Sequence, residues 1–568
     1  MKKIELLSPA GSLPSLKAAI CSGADAVYLG MNKFNARGSA VNFSEEDFAD
    51  AIKLAKSNNV KVYLTMNTLI KNSEIKEFFE QLEYAYCNGI DAVIVQDPSF
   101  IEIIKNGFPG LRVHMSTQAG VMNSGHANLF SEADRINLAR ESSKENIKSI
   151  KDNFGKEIEI FVHGALCISV SGSCLFSSLM GGSGNRGKCV QPCRKFYNDS
   201  YLLSTKELCL IDKIPEIIGL GVDSIKIEGR MRTPYYVATT TAIYRQAIDM
   251  FYKGNFKITD AMRDELRNAF SREFTEGKFS GSPVFNTEKA TGTSSIKEDI
   301  LYDAKMKPFE IKKREPKLEI PELKYRQSSG KKLIARVYSL NDALIANKYA
   351  NVICIDLFDK DFKAIRDQTQ KPICAVTPRI MFDSDMSLIE SRIREVKPEG
   401  LIAGNLGILK MNLGLPIILD YNSNGFNDLQ LEYFKKLGVR AAIVSPELSI
   451  DQMALLKSKD FVALVHGKIR LMTLAHEMKE GKIWDDKGFD FTVRKIFNGT
   501  EIINGKEMGL FNKVKNLMSA GVNQMYVDTD QNVEAILSTY RQILDGKSPN
   551  ASELQKDYVL GWAKYGTR

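Results

Sequence analysis

The sequence of 568 residues predicts an α/β protein: two tandem (β/α)8 TIM-like barrels from an internal duplication, with a small α+β linker region between them. Three observations predict this class. Short apolar runs alternate with amphipathic helical stretches, the runs fall into two sets of eight, and the two sets resemble each other in sequence. A chain of this length also exceeds one hydrophobic core, so at least two domains are expected.

The first set reads IELLSPAG (4–11), AVYLG (26–30), KVYLTMNT (61–68), AVIVQD (92–97), RVHMSTQ (112–118), RINLAR (135–140), EIFVHG (159–164) and SIKIEG (224–229). Strands buried on both faces and joined by helices leave such continuous apolar runs. A doubly wound open sheet alternates in the same way, but eight successive units favour a closed barrel. Between runs lie helices such as SLPSLKAAICSG, with a serine start, an apolar stripe and a glycine stop. The second set is LIARVYS (333–339), VICIDLF (352–358), ICAVTPR (373–379), GLIAGNLG (400–407), PIILDYN (416–422), AAIVSP (441–446), FVALVHG (461–467) and QMYVDTD (524–530). Its seventh run repeats the VHG of the first half, and YRQ recurs after both eighth runs. The expected organisation is therefore a first barrel over 1–250 carrying a cysteine loop, a connecting region with a basic segment over 251–330, and a second, degenerate barrel over 331–568.

Composition narrows the setting. A hydrophobic share of 44% with 26% charged residues is that of a globular protein, not a disordered one. No apolar stretch is long enough for a membrane span, and MKKIELLSPAGS enters a strand directly, so neither a signal peptide nor a span is expected. Nine cysteines, an odd number in a long chain, point to a reducing cytoplasm rather than a secreted disulfide framework.

Four of those cysteines crowd into one polar loop after the seventh run of the first half. Cys167, Cys174, Cys189 and Cys193 are separated by six, fourteen and three residues, with Gly172, Gly187 and Pro192 supplying turns. Cysteines that merely fill space need apolar surroundings, which Cys21, Cys87, Cys354 and Cys374 have and this loop lacks. The loop therefore reads as metal- or cluster-binding, zinc or iron–sulfur, and spacing leaves both open. The second half has lost every one of these cysteines, so the chemistry belongs to the first half.

Barrel active sites form on the loops that leave the strand C-termini, which makes the polar residues there candidates. Arg37, after the second run, is placed to grip an anion, and Asn35 beside it can cap a helix. His114, Ser116 and Gln118 share one face of the fifth run. Arg140 and Glu141 close the sixth and can pair with each other. Lys226 and Glu228 share a face of the eighth, and Arg230 follows its end. His163 lies four residues before Cys167, so a Cys–His nucleophilic pair is conceivable. Glu5 is either a mouth residue or an exposed acid. Gln118, His163 and Glu228 are the catalytic candidates; Arg37, His114, Arg140, Lys226 and Arg230 are the substrate-binding candidates.

Taken together, ELLSPAG, NARGSAVNF, HMSTQAGV, FVHGALCISVSGSCLFSS, NRGKCVQPCRKFY and SIKIEGRMRTPYYVA resemble the peptidase U32, or collagenase-like, family over the first 280 or so residues. Its better characterised members are oxygen-independent hydroxylases acting on tRNA uridine, on ribosomal RNA cytidine or in the ubiquinone pathway. The resemblance implies a [4Fe-4S] cluster on Cys167, Cys174, Cys189 and Cys193, and prephenate as oxygen donor in RNA-directed members. The duplicated length favours ribosomal RNA cytidine over tRNA uridine; a U32-type peptidase and a hydroxylase of a small aromatic metabolite are the alternatives. One departure stands at Ser271-Arg272-Glu273, where the family usually carries Asn-Arg-Gly.

RNA is the expected macromolecular partner, with a small-molecule oxygen donor and no membrane. Net charge is +8, and residues 305–332 concentrate basic side chains including Lys312, Lys313 and Arg314, so this stretch reads either as a solvated linker or as a phosphate-contact surface. Lys468 and Arg470 stand where the first half has Ala165 and Cys167, and read as cations facing RNA.

Overall fold

A computed structural model describes residues 3–38, 40–282, 284, 301–556, 558–564 and 566–567. In the first half the strands are β1 (Glu5–Pro9), β2 (Ala26–Leu29), β3 (Lys61–Met66), β4 (Ala92–Val95), β5 (Arg112–Met115), β6 (Arg135–Asn137), β7 (Glu157–Ala165), β8 (Glu207–Cys209), β9 (Ser224–Ile227) and β10 (Phe274–Thr275). Strands β1 to β7 pair in sequence order, β7 pairs parallel to β9, and β9 returns to β1, closing an eight-stranded parallel barrel. β8 lies outside the ring, antiparallel to the end of β7, and carries β10 at its edge. Serine and threonine caps start the surrounding helices: Ser12, Ser44, Ser143 and Thr233 each accept from a backbone N–H of the first turn.

The second half repeats the plan with β11 (Lys332–Arg336), β12 (Val352–Asp356), β13 (Ile373–Val376), β14 (Gly400–Ala403), β15 (Ile417–Leu419), β16 (Ala441–Ala442), β17 (Ala463–Gly467), β18 (Arg470–Leu474), β19 (Gly481–Trp484), β20 (Asp490–Ile496), β21 (Gly499–Asn504), β22 (Met508–Gly509) and β23 (Gln524–Asp528). β23 joins β11 to β17, and a parallel bridge between Ile443 and Val462 joins the β16 end to β17, so this ring closes as well. All sixteen apolar runs are barrel strands. Where the first half inserts the cysteine loop, the second inserts a four-stranded antiparallel sheet, β18–β21–β20–β19.

The repeated VHG and YRQ are one packing device used twice. The Tyr244 hydroxyl donates to Val162 O and accepts from Leu210 N–H, and its ring covers His163. Tyr540 does the same for Val465, Leu510 and His466. Because the cysteine-free half keeps the device intact, it serves the barrel and not the chemistry.

The two mouths face each other. Asn427 donates to Asp97 at 2.7 Å, Asn424 to Gly172 O at 2.8 Å, and Asn123 to Met381 O at 2.7 Å. The basic segment, by contrast, crosses the opposite ends of the barrels. Asn58 donates to Lys305 O, Arg314 to Ile90 O and Lys317 N–H to Gly107 O, all at residues that precede strand starts. Arg314 also lies over the Tyr86 ring, so it is a packing residue. The segment therefore lies away from the mouths, and any phosphate contact it makes is apart from the cavity. Among the described residues, no helix is long and apolar enough to cross a membrane.

Candidate functional site

Strand ends β2, β3, β5, β6, β7 and β9 and the cysteine loop enclose one cavity at the first mouth, with about 960 Å³ of atom-free space counting its opening. Cys167, Cys174, Cys189 and Cys193 all line it, with Arg37, Gln118, Arg140, Lys226, Glu228 and Arg230. The sequence scattered these residues over almost two hundred positions; closure of the barrel gathers them.

Charge is arranged in two layers. At the mouth, Glu228 accepts from Arg37 at 3.0 Å and lies 3.9 Å from Arg140. Burial alone would raise the Glu228 carboxyl, but Arg37 and Arg140 outweigh it and hold the group below its ordinary value. Arg140 also donates to Ser171 at 3.1 Å and stacks on Phe161, and its buried Nε has no hydrogen-bond partner. Asn137 Oδ1, on the same wall, is unpartnered too. Deeper in the barrel, Arg135 bridges Glu5 at 2.6 Å and Glu159 at 3.2 Å, and Glu159 accepts from Lys226 at 3.0 Å. Glu5 is thus neither a mouth residue nor exposed; it is a buried counter-ion at the far end, where its strand begins.

The remaining candidates sort clearly. Arg230 is spent on structure: it donates to Thr65 at 2.9 Å, to Asn35 at 3.2 Å and to Asn42, locking the 35–42 loop. Burial, the largest effect, draws its pKa down to about 10. His114 sits below the cavity with its ring edge-on to Tyr63 and both nitrogens unpartnered, and burial followed by Arg135 keeps it neutral. His163 does not line the cavity. Tyr236, Tyr244 and Phe274 enclose its ring, and burial depresses its pKa to about 3, so it offers Cys167 no base. Gln118 does line the mouth, with its backbone carbonyl accepting from Gln96. The departure at Ser271-Arg272-Glu273 keeps its arginine buried against Glu207 at 2.8 Å.

The cysteine loop is held open by its glycines and clamped by the second half. A Cβ on Gly172 would stand 2.1 Å from Gln118 O, and one on Gly187 2.1 Å from Asn35 O, both at positive φ. Val170 N–H donates to Thr473 O and Leu175 N–H to Leu471 O, so the loop extends against β18. Glu447, fully buried, accepts from Ser183 at 2.7 Å, Asn185 at 3.0 Å and Ser178. Sequence reading missed Glu447, Glu159 and Arg135, because single charged residues in apolar or loop contexts carry no periodic signal.

The donor chemistry of the loop fits a thiolate-held, anionic group. Burial raises the Cys167, Cys174 and Cys193 thiols, and neighbouring thiols raise them further, Cys193 to about 12. Arg140 and Arg37 oppose this at Cys167. Cys189 Sγ accepts from Gln191 N–H at 3.4 Å and from the Ser177 hydroxyl at 3.5 Å. The thiols line a wall; among the described residues, no group of three His, Cys, Asp or Glu is drawn together to hold a metal ion.

Arg470, expected to face RNA, is instead buried 3.1 Å from Glu501 and 2.7 Å from Asp528, and Lys468 pairs with Asp530. With Arg379 bound to Asp420, these paired charges fill the second mouth. An arginine at a barrel mouth that neighbouring strands supply with carboxylates closes inward.

Fold and site thus define a duplicated α/β-barrel protein whose first mouth is thiol-walled and lined with cations. The chain belongs to peptidase family U32, whose family profile matches residues 11–289. It is 42% identical over 300 residues to an uncharacterized protease of Methanocaldococcus jannaschii, covering 49% of this chain and 73% of that one. It is 36% identical over 309 residues to tRNA hydroxylation protein P1 of Bacillus subtilis, covering 50% and 73%. It is also 36% identical over 261 residues to the 23S rRNA 5-hydroxycytidine C2501 synthase of Escherichia coli, covering 44% and 39%.

Proposed function

We propose that the protein is an enzyme that hydroxylates a pyrimidine base in RNA without molecular oxygen, using a [4Fe-4S] cluster on Cys167, Cys174, Cys189 and Cys193. Prephenate is the proposed oxygen donor, and ribosomal RNA cytidine is favoured over tRNA uridine. The observation that carries the reading is the meeting of all four thiols with Arg37, Arg140 and Glu228 on one cavity. Similarity to two RNA-hydroxylating proteins supports the reaction class.

When bound, the cluster supplies electron transfer beside the substrate. This chain's residues do the rest. Arg37 and Arg140 neutralise a carboxylate-bearing donor, Arg140 with its free Nε. Asn137 Oδ1 stands ready to accept from a donor hydroxyl. Glu228, kept ionised by both arginines, fixes their spacing on the cavity wall. A peptidase mechanism finds no nucleophile–base pair here, since His163 is enclosed elsewhere.

Nucleoside mass spectrometry of a deletion strain tests the reaction: a missing hydroxylated pyrimidine is expected, and an unchanged nucleoside profile refutes it. Iron and zinc analysis of anaerobically prepared protein tests the cluster. About four irons per chain are expected, lost in Cys189→Ala/Cys193→Ala and kept in Cys354→Ala.

A further inference from the structure

We propose that a single-stranded RNA segment docks in the groove running from the cysteine loop onto the antiparallel sheet of the second half, stacking bases on Trp484 and Phe489. The inference rests on the RNA reading above and locates a contact surface that the basic segment at the far barrel ends does not provide.

Sequence alternation makes the sheet. In GKIWDDKGFDFTVRKI, Ile483, Phe491 and Val493 turn inward and are buried, while Trp484 and Phe489 remain 46% and 59% exposed. Large apolar rings left in water beside a tight turn are costly without a partner, and they are the side chains on which unpaired bases stack. The sheet is not a loose appendage. Trp484 N–H donates to Asn198 Oδ1 at 3.0 Å, Asn198 N–H donates back to Trp484 O, and Tyr197 bridges Asp485. The rings are therefore held at a fixed position relative to Cys193, four residues before Tyr197.

Phe489 lines a groove with about 2910 Å³ of atom-free space, and Trp484 pairs in register with its wall residue Asp490. An adjoining groove of about 1510 Å³ shares Met180, Gly181, Gly182 and Val190 with the first. Cys189 lines both this second groove and the thiol cavity, so a strand in the grooves passes the site at which a base would enter. Together the two grooves carry seven cations against four carboxylates. Lys188, Lys195, Lys487 and Lys506 form no ion pair among the described residues, whereas Glu74 and Glu77 are matched by Arg186 and Lys33 and Asp490 by Lys482. Unmatched lysines flanking exposed aromatic rings favour a phosphate backbone with unpaired bases over a protein partner.

The chain has two tryptophans, Trp484 and Trp562, and Trp562 is 7% exposed with its Nε1 donating to Ser178 O. Trp562 lines the same groove, so both tryptophans contribute to the emission and the difference between wild type and Trp484→Phe isolates the Trp484 share. Titration with a short unpaired oligoribonucleotide should quench the wild-type emission, and Trp484→Phe should lose the Trp484 share of that quench while preserving affinity measured by anisotropy. Trp484→Ala/Phe489→Ala should weaken binding by about fivefold if one weakly stacked base is lost and by up to about ten-thousandfold if two strongly stacked bases are lost. Lys487→Glu/Lys506→Glu should weaken it too and flatten its salt dependence, while neutralising Lys312 and Lys313 should leave it unchanged. If both double variants keep the wild-type thermal midpoint and bind RNA as tightly as the wild type, the groove is wrong and the RNA reading stands. If the wild type binds no RNA and the deletion strain keeps every hydroxylated pyrimidine, both fall.

Discussion

Removing the Glu447 carboxylate should unfasten the cysteine loop while leaving both barrels folded. The side chain is fully buried at the junction of the halves and accepts from Ser178, Ser183 and Asn185, all within the loop. Glu447→Ala leaves three buried donors unsatisfied, each costing about 1–3 kcal/mol, so the loop should lose on the order of 3–9 kcal/mol of local stability. At about 1.4 kcal/mol per decade, its opening becomes about a hundredfold to about a millionfold more frequent. Thiol modification of reduced, metal-free protein reads this out. In the wild type, only Cys21, Cys87 and Cys189 are exposed and should react in the fast phase. In Glu447→Ala, Cys167, Cys174 and Cys193 should join them, while Cys354 and Cys374, buried in the second barrel, stay slow. Glu447→Gln, which keeps one acceptor oxygen, should fall between. A variant with three fast thiols and an unchanged thermal midpoint would refute the clamp.

Three further outcomes follow from particular contacts. Arg470→Ala leaves buried Asp528 without its ion pair, while Glu501 keeps Arg494 and Arg379, and should cost about 3–5 kcal/mol in chemical denaturation, with RNA affinity unchanged in the folded fraction. Burial raises Glu141 to about 7, so the folded state binds this proton more tightly than the unfolded chain does. Stability should therefore decline as pH rises from about 4.5 to 7, and Glu141→Gln should remove that slope and gain about 3 kcal/mol at pH 8, measured by denaturation across pH. His163→Phe should leave the limbs of the pH–activity profile in place, because the neutral, ring-enclosed imidazole takes no part in the titration.

The sixteen barrel strands were legible in the sequence because a strand buried on both faces must be apolar along its length, whatever surrounds it. The duplication was legible for the same reason, and the cysteine loop stood out because four thiols in a polar stretch have no apolar role there. Tertiary structure decided which polar residues work together. Arg37, Arg140 and Glu228 lie far apart in the chain and meet only when β9 closes the ring between β7 and β1. It also decided roles that sequence assigned elsewhere. Arg470 aligns with Cys167 and reads as a free cation, yet Glu501 and Asp528 converge on it from other strands and draw it inward. His163 lies near Cys167 in sequence, but alternation along β7 turns its ring outward onto Tyr244 while the loop carries Cys167 over the mouth. The basic segment advertises charge, and only its hydrogen bonds to Ile90 and Gly107 place it at the wrong end of the barrel for the cavity. Apolar periodicity is fixed by each strand's own burial and survives in the sequence; the partner of a charge is fixed by long-range closure and does not.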